Sequence, residues 1–566
     1  MDRGDAEVKR GGSSRRGQGS VARHLLWLLP LLFLAVFFFT PLARILAVMA
    51  GRQGIITLSG ILQPLWFTLW QAALSTLLTL IIGLPVAYVF TRYKFTGKRA
   101  LRLVVTLPFI LPTVVVAAGY NALMGPRGWL NLVLMNVFQL DSPPIVLLNT
   151  VGAILLAHVF YNTSVVVRVV GSAWSQLDAK LSQAGSVLGA SPIKVMYNVT
   201  LPLLKPSILA AVLMVFLFDF TSFGVILLLG GPGFSTLETE IYTQTLSMLN
   251  LRMAGILSII QLACTLVVTL LYSRVNSRRT LWLKPGVGTE PKEGVHLREK
   301  FWIAMTGIFL ALFFLAPLAS LIIRSFIAYD PVSSMGQLTL RNYTQLFINQ
   351  HQSYFYVPPI QAAINSLVFG GITVLISLVL GTSMSYAQTN LPRLRKWIDN
   401  LVMLPLGASA VTLGLGFLIT FNKPPFDVAT FPVLIPIAHS LIAFPFVLRA
   451  VQPVLSSIPR QLKDAAATLG ASPWKVWWQV EVPIVSRPML VGGIYAFAIS
   501  LGEFGATSFL ARADLPTLPV AIYRFLSQPG DLNYGQALAM ATLLMLVCAA
   551  AISVIERIPI PGRTDY

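Results

Sequence analysis

Two carboxylates lie inside long apolar runs, where an ionised group is costly. Asp219 occurs in FLFDFTSFG and Glu503 in SLGEFGATSFL. Acidic residues within hydrocarbon normally face a water-filled path or a partner group. They could therefore line a translocation path and favour a cationic solute through Coulomb attraction. The alternative interpretation is that each carboxylate caps a helix break or pairs with a nearby arginine.

Two histidines form a second pair of interest. His158 and His439 stand 281 positions apart in equivalent apolar segments. A symmetric metal or proton site is one interpretation. Because no carboxylate or second histidine stands beside either at ligand spacing, we favour a hydrogen-bonded structural histidine between packed helices. We therefore predict no metal site.

Motifs for covalent or phosphate chemistry do not occur in the sequence. The string nearest to a phosphate-binding loop, GGPGFST at 230–236, lacks the lysine that would reach the phosphates. There is also no nucleophile elbow, no H-E-x-x-H and no Cys/His cluster. We predict that this chain neither hydrolyses ATP nor catalyses another reaction, and that it holds no cofactor.

Composition indicates which elements must position these residues. Of 566 residues, 55% are apolar and only 11% are charged, which is typical of an integral membrane protein. The net charge of +20 would suggest nucleic-acid binding in a soluble protein. Here the basic residues cluster in short loops between apolar runs, as expected for loops on the cytoplasmic side of a membrane. We therefore predict a lipid bilayer as partner and no nucleic acid.

Segments long enough to cross ~30 Å of hydrocarbon as a helix recur along the whole chain. They lie near 25–49, 65–90, 103–123, 145–167, 207–229 and 254–273, and then near 302–323, 360–386, 400–421, 431–448, 488–510 and 535–554. The prediction is an all-α integral membrane protein with about twelve transmembrane helices. Its expected parts are a disordered cytoplasmic tail at 1–20, a first repeat at 21–274, a cytoplasmic linker at 275–300, a second repeat at 301–556 and a C-terminal tail at 557–566.

The two six-span units are related by duplication. His158 and His439, Arg168 and Arg449, and Tyr242 and Tyr523 are all separated by 281 positions, and no gap is needed from 158 to 242. Apolar similarity by chance would not keep such polar residues in register. Because six spans precede the linker, both units have the same orientation, which makes the repeat parallel. The distribution of Lys and Arg puts both termini in the cytoplasm.

The same register relates two polar inserts, which we call the first elbow (181–209) and the second elbow (462–490). Each has a glycine, Gly189 or Gly470, and a later proline, Pro202 or Pro483. The pattern predicts a short helix, a break at the glycine and a second helix stopped at the proline, all outside the membrane.

The second elbow carries an additional aromatic stripe. Trp474, Trp477 and Trp478 would share one face of a helix. That face could bind a partner groove, pack under the transmembrane ends, or be divided between the two.

The elbows resemble the "EAA" cytoplasmic loop, E-A-A-x3-G-x9-I-x-L-P, of ABC-importer permeases. The residues that match this template are Gln183, Ala184, Gly185, Gly189 and Pro202 in the first elbow, and Asp464, Ala465, Ala466, Gly470 and Pro483 in the second. Gln183 departs from the acidic first position of the template, so the resemblance implies docking of different strength by the two halves. Over about residues 21–556, the chain resembles fused, double-length type I importer permeases, the group that includes thiamine and ferric-iron permeases.

This resemblance implies a permease subunit in the cell membrane. Two separate ATPase subunits would bind ATP and dock on the elbows, and an external binding protein would deliver a small, cationic solute such as thiamine or ferric iron. An alternative is a twelve-helix secondary transporter driven by an ion gradient, whose inner loops need no glycine-broken helix. A membrane scaffold or enzyme is a third class and would require polar residues grouped at one depth.

Overall fold

The structure, a computed structural model, describes most of the chain. The described residues are 27–51, 54–109, 111–279, 296–329, 336–348, 358–390, 401–402, 404–405, 407–424, 426–428 and 430–557. The predicted tail at 1–20 and residues 558–566 lie outside them. The predicted linker at 275–300 is described only at its two ends, which are helical.

The first half is built from helices and short helical turns. Its elements are α1 (Trp27–Ala50), α2 (Leu58–Arg92), α3 (Lys98–Thr106), α4 (Thr113–Met124), α5 (Trp129–Phe138), α6 (Val151–Ser175), α7 (Ala179–Val187), α8 (Pro192–Phe220), α9 (Gly224–Leu229), α10 (Leu237–Leu246) and α11 (Leu251–Arg279). A 3-10 turn at Leu107–Phe109 follows α3, and α1 contains a π-helical turn at Ala35–Phe39.

The second half repeats the order of the long helices and adds a short helix and two small hairpins. Its helices are α12 (Leu297–Ser325), α13 (Arg341–Thr344), α14 (Pro359–Asn390), α15 (Ala410–Thr420), α16 (Leu434–Ser457), α17 (Arg460–Thr468), α18 (Pro473–Gly502), α19 (Thr507–Leu510), α20 (Leu518–Leu526) and α21 (Asp531–Arg557). Strands β1 (Ile327–Tyr329) and β2 (Gly336–Leu338) pair antiparallel, as do β3 (Asn422–Lys423) and β4 (Phe426–Asp427). A 3-10 turn at Gln345–Phe347 follows α13.

Ten of these helices are long and apolar enough to cross a membrane, within the described part of the chain. An eleventh span results if the bent pair Lys98–Phe109 and Thr113–Phe138 is counted as one. The all-α membrane fold is therefore confirmed, and the differences lie in the third span of each half. Pro108 and Pro112 flank the bend in the first half, and proline cannot continue the helical hydrogen-bond ladder. In the second half the helix α15 covers the later part of this span, and it begins where Ser409 accepts a hydrogen bond from the Thr412 amide.

The two halves are interlocked by their first helices. Helix α1 packs on α15 of the second half, while α12 packs on α4 of the first. Phe160 of the first half lies 5.2 Å from Phe314 on α12, between ring centroids. Because buried aromatic rings dominate the area removed from lipid or water, these crossings make one continuous core from the two repeats.

The short helices α10 and α20 are anchored in the same way in both halves. The Leu237 amide donates to Thr68 Oγ1 at 2.9 Å, and the Leu518 amide donates to Ser366 Oγ at 2.8 Å. Both acceptors are side chains on the second span of the same half. These bonds satisfy N–H groups that a helix start leaves unpaired. They fix α10 and α20 beside the second span of their own half.

Candidate functional site

The first helix of each elbow, α7 or α17, starts two residues before the predicted range, has nine residues and is followed by a left-handed glycine. Gly189 has φ +81° and Gly470 has φ +82°. The amide three residues after the helix turns back in both: Ala190 donates to the Gly185 carbonyl at 3.1 Å, and Ala471 donates to the Ala466 carbonyl at 3.0 Å. This is a Schellman C-cap, which needs a residue that tolerates positive φ. The predicted glycine break is therefore present in both elbows.

The second helix of each elbow does not stop at its proline, contrary to the sequence prediction. It runs through a π-helical turn, Met196–Thr200 or Trp477–Glu481, into the fifth span. Pro202 and Pro483 then stand at the second position of the following α-helical segment. Proline lacks an N–H and clashes with the carbonyl four residues earlier. The wider π turn before each proline relieves this conflict, so α8 and α18 each join elbow and membrane span in one helix.

The outer surface of both elbows is apolar. Leu188 is 87% exposed and its equivalent Leu469 is 89% exposed, each directly before the left-handed glycine. At the start of the second helices, Ile193 is 70% exposed and Trp474 is 64% exposed. A repeated apolar surface of this kind marks an interaction site when it lies in water.

The EAA-like positions lie on and beside this surface. The exposed members are Gln183, Ala184, Gly189, Pro202, Asp464, Ala465, Gly470 and Pro483. Gly185 and its equivalent Ala466 are half-buried, and a Cβ on Gly185 would lie 3.2 Å from Val195 Cγ2 on the second helix of its elbow. The small residues at these two positions let the two helices of each elbow pack closely.

The three tryptophans of the second elbow differ in their exposure to solvent. Trp474 and Trp478 are exposed, while Trp477 is half-buried. The rings also contact one another, with centroids 4.7 Å apart between Trp474 and Trp477 and 5.1 Å apart between Trp477 and Trp478. Trp477 thus joins an exposed aromatic face to the body of the protein.

An ion pair distinguishes the second elbow from the first. Lys463 of α17 pairs with Glu481, the last residue of the π turn, and closes the two helices on each other. The equivalent residues in the first elbow are Ser182 and Thr200, which cannot form an ion pair. The second elbow therefore has an internal link that the first lacks, in addition to Asp464 in place of Gln183.

Within the membrane-spanning part of the first half, Asp219 and His158 are brought together. Asn162 Nδ2 donates to Asp219 Oδ1 at 2.6 Å, and His158 Nδ1 lies 3.4 Å from the same oxygen. The other ring nitrogen, Nε2, lies 2.8 Å from Ser222 Oγ. All four side chains are buried or nearly so. The histidine thus bridges the end of α8 and the short unwound segment that follows it.

In the second half, His439 forms an equivalent bridge, but the acid lies beside the other ring nitrogen. His439 Nδ1 lies 2.7 Å from Ser500 Oγ, and Nε2 lies 3.2 Å from a carboxylate oxygen of Glu503. Ser500 is the equivalent of Asp219, and Glu503 is the equivalent of Ser222. Ser75 Oγ also lies 3.0 Å from His158 Nδ1, and Thr507 Oγ1 lies 2.8 Å from His439 Nε2. Each imidazole therefore contacts one acid and two hydroxyl groups, and the acid lies beside Nδ1 in the first half and beside Nε2 in the second.

The Glu503 carboxylate also caps a helix. The amides of Ala506 and Thr507 donate to its two oxygens at 2.7 and 2.9 Å, at the start of α19. This agrees with the helix-break interpretation for Glu503, whereas Asp219 pairs with His158 and Asn162. The favoured interpretation of the histidines as hydrogen-bonded residues between packed helices fits this geometry. The spacing argument missed both acid partners because they come from another helix. Solute contact by either acid stays a prediction.

Sequence reasoning also missed the exposed apolar tips and the ion pair. Leu188 and Leu469 each stand directly before a glycine in a polar insert. This position in the sequence could have identified them as exposed apolar residues. Lys463 and Glu481 are 18 residues apart on different helices. Nothing in the sequence indicates that these two side chains meet.

Comparison with known proteins agrees with this arrangement. A family model described as "Binding-protein-dependent transport system inner membrane component" matches residues 79–281 and 377–561. The thiamine transport system permease protein ThiP of Haemophilus influenzae is 26% identical over 490 residues, covering 85% of this chain and 86% of its own. The ThiP protein of Salmonella typhimurium is 25% identical and covers 94% of this chain and 97% of its own.

Two further proteins are similar. The probable ABC transporter permease protein y4fN of Sinorhizobium fredii is 26% identical, with 88% of each chain covered. A solved chain of a bacterial ABC transporter for the acidic polysaccharide alginate matches 47% of this chain and 99% of its own, with 20% identity and a TM-score of 0.38. At that score the likeness supports no conclusion about the fold.

The family model matches each half once, and each match contains one elbow, one histidine bridge and the helix that joins them. The curated relatives match both halves in a single chain, as expected for a fused, double-length permease. The chain therefore belongs to the inner-membrane components of binding-protein-dependent transport systems, with both permease repeats in one polypeptide.

Proposed function

We propose that this chain moves thiamine across the cell membrane, using ATP hydrolysis by two separate ATPase subunits docked on its elbows. The observation that carries the proposal is the pair of exposed apolar elbows, each continuous with a membrane-spanning helix. Leu188 and Leu469 are almost fully exposed at their tips. Exposed apolar side chains of this kind gain free energy when a partner removes them from water.

The partner face that fits these elbows is an apolar groove with acidic surroundings. The apolar tips are flanked by the basic residues Lys180, Lys194, Arg460 and Lys475. Charges at the rim of an interface steer association more than they add affinity. We therefore expect the leucine tips and Trp474 to contribute most of the binding energy, and the basic rim to contribute the salt dependence.

Each elbow continues into a membrane span as one helix, so a movement of the elbow would be transmitted into the membrane. Helix α8 has 29 residues and is therefore about 43 Å long at 1.5 Å per residue. Movement of the two elbows toward each other as the ATPases close would tilt α8 and α18 as rigid levers. Their far ends, near Phe220 and Gly502, would then move apart or together. Such rigid-body rotation is a common form of transport and allosteric transition.

The orientation follows from the charge distribution. Arg92, Lys98 and Arg99 lie in a loop on the same side as the elbows in the predicted topology. Positive residues concentrate on the cytoplasmic side. The elbows and both termini would therefore lie in the cytoplasm, within reach of the ATPases, and a solute-binding protein would dock on the opposite side.

The curated relatives support thiamine as the first solute to test, since several of them are named as thiamine permeases. Thiamine is a small organic cation, which agrees with the acidic residues Asp219 and Glu503 in the membrane. Both carboxylates already have protein partners, so contact with a cation would require these bonds to rearrange. Ferric iron stays a prediction of the sequence resemblance.

The proposal is tested by a matched set of tip substitutions. Leu188→Asp and Leu469→Asp together should abolish co-purification of the ATPase with the affinity-tagged permease, because each places a charge in the apolar contact. Val146→Asp is the control, since Val146 is 76% exposed but lies outside the elbows. It should leave co-purification unchanged. Equal ATPase recovery from the tip variant and the control would refute the docking role.

Uptake of radiolabelled thiamine by cells expressing the whole system then tests energy source and solute. Uptake should persist when an ionophore collapses the ion gradients and should stop when ATP is depleted. The reverse pattern would support the ion-gradient-driven secondary transporter. ATPase docking without thiamine uptake would retain the importer and exclude thiamine as its solute.

A further inference from the structure

Two equivalent phenylalanines touch each other across the interface between the halves. Phe223 and Phe504 are 281 positions apart, and their rings are stacked with centroids 5.4 Å apart and an interplanar angle of 26°. Residues related by a two-fold repeat can contact each other only beside the axis that relates the halves. Both rings are buried. They therefore mark where the pseudo-two-fold axis passes through the protein. Because the rings are buried and stacked, they leave no opening between the halves at that point.

Two equivalent tyrosines extend this contact. Tyr242 lies 5.4 Å from Phe223 and Tyr523 lies 5.5 Å from Phe504, between ring centroids. The Tyr242 ring also reaches the second half, where its centroid lies 5.6 Å from that of Phe509. Unlike the phenylalanines, the tyrosines are half-buried. The four rings, which we call the aromatic quartet, thus form a symmetric closure with its tyrosines on the more open side.

The backbone that carries the phenylalanines is unwound but firmly held. Phe223 follows the end of α8 at Phe220, and Phe504 follows the end of α18 at Gly502. The histidine bridges hold both breaks. His158 reaches Ser222 next to Phe223 in the first half, and in the second half His439 Nε2 lies 2.8 Å from Thr507 Oγ1. These bonds set the direction of the two rings without a continuous helix.

Close packing behind the two phenylalanines also holds their backbone in place. A Cβ on Gly224 would lie 2.3 Å from Thr113 Oγ1, and a Cβ on the equivalent Gly505 would lie 2.9 Å from Ala410 Cβ. Thr113 and Ala410 are the first residues of α4 and α15. Each phenylalanine is therefore followed by a glycine that lets the unwound segment press against the third span of its own half.

The quartet lies at the end of the levers farthest from the elbows. Leu201–Phe220 has 20 residues and is therefore about 30 Å long, comparable to the hydrocarbon thickness. Tilting α8 and α18 would consequently act directly on the contact between Phe223 and Phe504. That contact belongs to neither half alone, so it must break when the far ends of α8 and α18 move apart.

We propose that Phe223, Tyr242, Phe504 and Tyr523 form the outer gate of the translocation path and contact the solute as it passes. The inference rests on the proposed function and names the residues that would close the path. Aromatic faces attract cations and stack on flat rings, with energies of about 0.5–2 kcal/mol per contact. The quartet therefore suits a solute with a flat, positively charged ring, and the half-buried tyrosines would contact it first.

State-dependent cross-linking tests the gate without knowledge of the solute. In a background with Cys264→Ala and Cys548→Ala, the pair Phe223→Cys and Phe504→Cys is placed in the complete complex with its ATPase. A short bis-methanethiosulfonate reagent should link the two half-chains after cleavage in the 280–295 region by an engineered protease site. Linking should be efficient without nucleotide and should fall to background when the ATPase is trapped with ATP and vanadate.

The matched control is a pair inside one half. Phe504→Cys and Tyr523→Cys, with an engineered protease site between them, should link equally in both states, because α18 and α20 move together. A Phe223–Phe504 link of equal yield in both states would overturn the gate, as would an equal loss in the control pair. Failure of the complex to assemble or to hydrolyse ATP would instead refute the proposed function.

Solute contact is tested by the tyrosines. Tyr242→Leu with Tyr523→Leu should raise the KM for thiamine uptake about fivefold or more, the effect of losing about 1 kcal/mol of ring contact. Tyr242→Phe with Tyr523→Phe keeps both rings and should retain a KM near that of the parent. An unchanged KM in the leucine variant, or an equal rise in the phenylalanine variant, would overturn contact through the ring faces.

Discussion

Gly119 lies so close to Pro317 that a Cβ at position 119 would stand 2.9 Å from the proline carbonyl oxygen. The counterpart crossing has the same form, because a Cβ on Gly416 would stand 2.9 Å from Pro41 Cβ. In both cases the first helix of one half crosses the third-span helix of the other. These two contacts hold the repeats together as one body, and the levers α8 and α18 move against them.

Filling the first crossing should destabilise the fold. Gly119→Leu forces a side chain against the backbone of α12, and overpacking of this kind costs about 1–3 kcal/mol. The melting temperature of the purified protein in detergent should fall. Gly371→Leu is the control, because Gly371 lies on α14 and, in the part of the chain that the structure describes, no atom lies within 4 Å of its Cβ position. Similar melting temperatures for the two variants would contradict the close crossing.

At the elbow glycines, backbone conformation and not space should decide which substitutions are tolerated. No atom of the described residues lies within 4 Å of a Cβ on Gly189 or Gly470, but both glycines have positive φ. An L-residue other than asparagine or aspartate costs about 1–2 kcal/mol in this region. Gly470→Ala should therefore weaken ATPase co-purification, and Gly470→Asn should weaken it less.

Gly97 provides the control for that series. It has φ +85° and open space, but it lies outside the elbows. Gly97→Ala therefore carries the same backbone strain and should leave the amount of bound ATPase unchanged. If Gly470→Ala binds ATPase as well as the parent does, the left-handed turn is not needed for docking.

The ion pair in the second elbow should make the two elbows unequal. Glu481→Gln removes the attraction to Lys463 and should loosen α17 against the π turn, by no more than about 1 kcal/mol because Lys463 is partly exposed. Hydrogen exchange of the α17 amides should become faster. Lys463→Gln should add little to this change in the double variant. Independent, additive effects would show that the two side chains do not act as a pair.

Neutralising the two membrane carboxylates should give different results. Glu503→Gln replaces an oxygen that accepts an amide N–H with an NH₂ group, and loss of such a buried bond costs about 1–3 kcal/mol. In Asp219→Asn, the remaining oxygen can still accept from Asn162, so the melting temperature should fall less. The measurement is thermal unfolding together with thiamine uptake.

The same pair of variants tests the predicted translocation role. Loss of uptake in Asp219→Asn with an unchanged melting temperature would indicate solute contact by this carboxylate. Parallel loss of stability and uptake in Glu503→Gln would indicate that this acid acts through the cap of α19. A melting temperature unaffected by Glu503→Gln would contradict the capping geometry.

Much of the fold could be predicted because membrane-spanning helices have a strong local signal. The length of the apolar runs located ten of the long helices. The 281-residue offset between equivalent residues indicated which helices of the two halves correspond. The third spans differ because prolines and caps act on one or two residues within an otherwise apolar run. The helices of the elbows likewise continue past Pro202 and Pro483, since a π turn can accommodate a proline that the sequence pattern treats as a stop.

By itself, the sequence determined the class of the protein, its duplication and the position of the elbows, because these depend on composition, spacing and the φ preference of glycine. Only the tertiary structure decided which residues meet. It put Asp219 and Glu503 on opposite sides of their histidines, joined Lys463 to Glu481, and stacked Phe223 on Phe504. These contacts join residues far apart in the chain, and their formation depends on how twisted, interlocked helices pack, which no local pattern specifies.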